Sequence, residues 1–143
     1  MDERTLIERL EEIEAKHAGL SGPAGSPERS QTLIRDKLTE ITEAHPPIEW
    51  KFSLTDPWER KLFLALCRRY GLQPFRYTRQ QRQSVMLRVP RPFVDGTLWP
   101  LFVALRQPLY DYLAHVTDRV IGEALQADTA DAEENQAQHE LPL

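Results

Sequence analysis

Between Lys61 and Val94 the chain carries Lys61, Arg68, Arg69, Arg76, Arg79, Arg82, Arg88 and Arg91 and not one Asp or Glu. The planar fork of arginine fits carboxylate and phosphate in two places at once, so anion binding is the natural chemistry of such a run. Arg68, Arg69, Arg76, Arg79, Arg82, Arg88 and Arg91 are therefore the candidate anion-binding set. Tyr70, Phe75 and Tyr77 lie among them and offer rings on which unpaired bases stack. Two features weigh against nucleic acid: alternation assigns Phe75 and Tyr77 to the core, and the isoelectric point is an acidic 5.6. Internal neutralisation is the competing expectation, since the rest of the chain sums to −12 and supplies ample carboxylate.

Metal chemistry has two candidate spacings. Asp111-x-x-x-His115-x-x-Asp118 puts three ligand types on one helix face, although ligands normally also come from a second element that closes the coordination sphere. Glu14-x-x-His17 has the spacing used by carboxylate-bridged di-iron bundles, but its counterpart in the echoing stretch Leu38 to His45 is Thr42, so the second copy is missing. No Ser, Cys or Lys sits in a nucleophile motif and no glycine-rich phosphate loop is present; no catalytic residue or cofactor is assigned. Cys67 is the single cysteine and lies in the apolar run LFLALC, which points to a buried, reduced thiol.

These groups must be positioned by a chain of 143 residues, long enough for one core with appendages. Its net charge of −4 is unevenly spread: residues 1–45 sum to −4, 46–60 to −1, 61–94 to +8 and 95–143 to −7. Leu6, Leu10, Ile13 and Leu20 mark one amphipathic helix, and Ile34, Leu38 and Ile41 a second, separated by the break SGPAGSPERS. Ser26-Pro27 reads as the second helix's cap and first turn, and two prolines after His45 end it. Residues 46–55 alternate at Ile48, Trp50 and Phe52, an extended segment that lays aromatics on the core.

Asp56-Pro57-Trp58-Glu59 is the sharpest local signal, a capping acceptor, a first-turn proline and a reciprocal Glu, and the helix it starts runs to Gly71. Beyond Gly71 the period becomes 2. Phe75 and Tyr77 then pair with Val89 and Leu87 in a β-hairpin whose loop is Gln80 to Ser84. That register sets Arg76 across from Arg88, a like-charge pair that calls for an anion. Leu98, Leu101, Phe102 and Leu105 begin a last helix, interrupted or kinked at Pro108 and resuming at Leu109, Leu113, Val116, Val120 and Ala124.

The expected fold is α+β: a helical hairpin over 1–45, an α-β-β-α domain over 46–126 packed with it, and a disordered acidic tail over 127–143. Edge-to-edge pairing of two hairpins predicts a homodimer. The opening MDERTLIERL has no basic n-region and no apolar run reaches membrane-spanning length, so a soluble cytoplasmic protein without membrane contact is expected. The leading functional expectation is a non-enzymatic homo-oligomeric interaction or regulatory module with a protein partner at its N-terminal helices. Nucleic-acid binding through the arginine-rich hairpin is the alternative, and a metal-dependent enzyme at Asp111, His115 and Asp118 the weaker one.

Overall fold

The computed structural model describes residues 2–20 and 26–136. Residues 21–25 of the glycine-proline break and 137–143 of the acidic tail lie outside the described residues. The chain is α+β, with helices around a two-stranded antiparallel sheet and a long helix at its C-terminal end.

Helix α1 (Glu3–His17) starts where the Asp2 carboxylate accepts from Thr5 N at 2.7 Å, and α2 (Pro27–Ala44) starts on Ser26. Helix α3 (Pro57–Arg69) opens as its sequence dictates, the Asp56 side chain accepting from Trp58 N and Glu59 N. The expected reciprocal bond from Glu59 gives way to an ion pair with Arg106 at 3.6 Å. Gly19 and Gly71 close α1 and α3 at positive φ. In each case the next residue's N–H returns to a carbonyl five positions back, at 2.9 Å, an arrangement that glycine enters without strain.

The sheet corrects the expected hairpin. Strand β1 (Ile48–Ser53) pairs with β2 (Ser84–Val89), and α3 lies between them in sequence; Phe75 contributes only a single bridge, to Met86. Ile48 faces Val89, Trp50 faces Leu87 and Phe52 faces Val85, three apolar pairs on the alternating ladder. Arg88 consequently faces Glu49 rather than Arg76, and opposite charges replace the like-charge clash. Local pairing loses because residues 75–83 lack the Gly or Asn of a tight turn, Pro74 removes a donor, and Arg79 adopts a left-handed φ of +70°. Met86 is buried, and Phe75 exchanges both backbone hydrogen bonds with it, at 2.8 and 3.0 Å.

Phe63 is fully buried at the centre, 4.7 Å from Phe52 and 5.3 Å from Phe102 between ring centroids. Ile13 and Ile34 join the same cluster, so the helical hairpin and the rest of the chain share one core. After β2, a short turn α4 (Arg91–Phe93) and a π-helical turn (Val94–Leu98) lead into α5 (Trp99–Leu125). Pro100 in the first turn of α5 has no N–H to contribute, which suits it to this junction. Leu101, Phe102 and Leu105 of α5 are buried, whereas among the described residues none beyond Leu105 is. The helix runs on through Pro108 instead of stopping there. Residues 127–136 are exposed and form no helix or strand. Among the described residues no helix is long and apolar enough to cross a membrane.

Candidate polyanion-binding site

The basic segment divides into arginines that are answered within the fold and arginines that are not. Arg69 belongs to the first group. Its Nε and Nη2 donate to Glu14 at 2.5 and 2.7 Å, Nη2 also donates to Pro27 O at 2.7 Å, and Tyr70 donates its hydroxyl to the same carboxylate. Gln31 Nε2 and Arg35 Nε then donate to Arg69 O at 2.8 and 3.0 Å, using a carbonyl that the end of α3 leaves free. One cluster thus ties α1, α2 and α3 together. The bond to Glu14 holds Arg69 above its ordinary pKa, while burial and the Glu14 bond push the Tyr70 phenol up.

Arg88 and Arg91 are also engaged. Arg88 lies 3.6 Å from Glu49 and packs 4.7 Å over the Phe75 ring, and Arg91 stacks 5.0 Å over Trp50. Three of the seven candidate arginines, Arg69, Arg88 and Arg91, therefore have protein partners. None of these three lines the hollows that the other four border.

Arg68, Arg76 and Arg79 have no carboxylate within ion-pair reach among the described residues, and neither does Arg82. The first three line one open depression of about 710 Å³ together with Arg60, Phe75, Tyr77 and Gln80. Arg82 lines an adjoining one of about 410 Å³ with Lys61, Pro57, Gln83 and, again, Arg60. Six cations border the two hollows, and neither lining contains an Asp or Glu. Arg60 joins them, and its Nε is shielded from solvent with no hydrogen-bond partner. A buried donor left unpaired costs free energy.

One wall is a helix face and the other a turn. Arg60, Leu64 and Arg68 recur every four residues on one face of α3. Opposite them, Gln80 N donates to Tyr77 O at 3.2 Å while Gln80 Oε1 accepts from Tyr77 N, closing a turn that presents Arg79. Gln80 Nε2 in turn reaches Met86 Sδ at 3.3 Å, fastening the turn to β2. Tyr77 donates its hydroxyl to Glu49, a bond that raises its pKa. Arg60 directly follows Glu59 and so opens the acid-free stretch, and its i, i+4, i+8 spacing with Leu64 and Arg68 in α3 is the signal that could have found it.

The metal candidates are separated from any such convergence. Among the described residues no group of three His, Cys, Asp or Glu is placed to hold an ion. Asp111, His115 and Asp118 lie exposed along α5, with Asp111 accepting from Gln107 Nε2 at 2.9 Å. Glu14 is taken by Arg69 and Tyr70, and His17 Nδ1 is 2.9 Å from Ile13 O. Cys67 is fully buried, and that burial pushes its thiol up to about 12 despite the neighbouring Arg68. No protein-family model, no curated protein and no solved structure matches the chain.

Proposed function

We propose that this chain is a binding module that holds nucleic-acid phosphate in the two adjoining basic hollows. The observation that carries this reading is the ring of Arg60, Lys61, Arg68, Arg76, Arg79 and Arg82 with no carboxylate in the lining. Unpaired cations this close repel one another, and a chain of phosphates relieves that repulsion at several points at once. Arginine supplies five of the six, and its fork suits phosphate oxygens. The acidic overall balance does not oppose this, because the negative charge is concentrated in residues 1–45 and 95–143.

Fluorescence anisotropy with a labelled oligonucleotide tests it. Three to six neutralised phosphates predict a slope of log affinity against log salt of roughly −2 to −5. The double variant Arg76→Glu/Arg79→Glu should lower affinity at least tenfold. No binding at 50 mM salt, a salt-independent affinity, or an unaffected double variant would each remove the proposal.

A second reading, self-association, is favoured by the far half of α5. Tyr110, Val120, Ile121 and Leu125 are exposed there, Leu125 by 70%, and Trp58 extends the apolar surface beside Tyr110. An isolated helix of this length is marginal in water, and a second copy packed along it would supply the missing partner. Sizing by light scattering at micromolar concentration should give a dimer that Val120→Glu/Leu125→Glu converts to monomer. A monomeric wild type ends this reading.

A further inference from the structure

We infer that the ligand is single-stranded, with an unpaired base stacked on Tyr77 while the arginines hold the flanking phosphates; this rests on the phosphate reading above. Tyr77 is 48% exposed and lines the larger hollow beside Arg76 and Arg79. It is not a loose surface ring. Its hydroxyl is anchored on Glu49, its backbone is pinned in the Gln80 turn, and its edge meets Phe75 at 5.3 Å with the planes 89° apart. Those three contacts fix the ring's plane before any ligand arrives and still leave about half of it open. Ordering this ring therefore costs little at the moment of binding, which is how preorganised sites gain affinity.

Bases expose their faces only when unpaired. In a duplex they are stacked on each other, and extruding one requires unstacking and unpairing. A concave hollow of about 710 Å³ lined in part by an aromatic side chain suits a splayed nucleotide rather than the convex backbone of a helix. The second hollow, sharing Arg60 and adding Lys61 and Arg82, continues the cationic track, so a strand of at least two nucleotides is accommodated in place of a lone mononucleotide. Phe75 does not serve as a second platform, because the Arg88 guanidinium already covers its face. No group in the hollows is singled out for a 2′-hydroxyl, so the shared chemistry is that of single-stranded RNA and DNA alike.

The test measures anisotropy of fluorescein-labelled 12-nucleotide oligo(U) and oligo(dT) against a 12-base-pair duplex, at one fixed salt, with full-length protein. Both single strands should bind about tenfold or more tightly than the duplex. Tyr77→Ala should weaken single-strand binding by roughly 5- to 100-fold without changing the salt slope, and Tyr77→Phe should retain most of it. Duplex affinity should be the same for all three proteins. Equal or tighter duplex binding, or a Tyr77→Ala protein that binds the single strands like wild type, overturns the stacking inference while leaving phosphate binding intact. If no oligonucleotide binds, both fall. Tyr77 lies on the surface, and circular dichroism of each variant establishes that loss of binding is not loss of fold.

Discussion

Replacing Glu14 by Gln removes the charge on which α1, α2 and α3 converge. Glu14 is 7% exposed and accepts from Arg69 Nε, Arg69 Nη2 and the Tyr70 hydroxyl, whereas glutamine offers one acceptor oxygen and two donors. Breaking a fully buried ion pair from one side costs about 3–5 kcal/mol. Here the Arg69 side chain is 32% exposed and keeps Pro27 O, so water and that carbonyl recover part of the loss. About 2–3 kcal/mol remains once the pair is discounted for solvent. At this chain length roughly 3–5 °C of Tm accompanies each kcal/mol, giving a drop of about 10 °C. Thermal melting followed by circular dichroism reads it, and Arg69→Met with the double variant completes a cycle whose coupling should be at least about 1 kcal/mol. A Glu14→Gln protein melting within about 2 °C of wild type, with additive single effects, would refute the assignment of this cluster as the clamp between the three helices.

Cys67 and Tyr70 make alkaline stability the next expectation. Both acids have folded pKa values raised above their unfolded ones, the thiol to about 12, so their contribution is complete below about pH 8.5 and 10 respectively and declines as pH rises beyond. Urea melts across pH 8–11 should show stability falling by up to roughly 1.4 kcal/mol per pH unit per group, with Tyr70→Phe flattening the upper part; a flat profile contradicts the burial of both. The same burial predicts that Cys67 reacts with an aromatic disulfide reagent at pH 8 only as fast as the protein opens, and rapid stoichiometric labelling of native protein would count against it. Asp56→Ala should cost about 1 kcal/mol by freeing the N–H groups of Trp58 and Glu59, and an unchanged urea midpoint would show the cap contributes nothing.

Helix starts were the most legible part of the fold, since capping is written within four residues. Asp56, Ser26 and the stop at Gly71 needed no tertiary information, whereas α1 ends at His17, short of the expected Leu20. The strand partner was not legible in that way. Val85, Leu87 and Val89 alternate correctly, but nothing in their own segment says whether Phe75 and Tyr77 or Trp50 and Phe52 complete the ladder. The three-pair apolar match across more than thirty residues decides it. The same limit governs the site: charge marked the segment, while the division between answered and unanswered arginines depends on which helix brings Glu14 to Arg69 and which strand brings Glu49 to Arg88. Arg60 sits beside Glu59 at the edge of the basic segment, and it is the helix face of α3, not its neighbours in the chain, that brings it to the hollow.

Where a polyanion touches the protein is the most direct test of phosphate binding in the two hollows. A ¹⁵N–¹H correlation spectrum recorded during titration with unlabelled oligo(U) should move the amides of Arg60, Arg68 and Arg76 to Gln83, with little change along Asp111 to Leu125 of α5. Shifts confined to α5, or a spectrum that does not change at low salt, would contradict it.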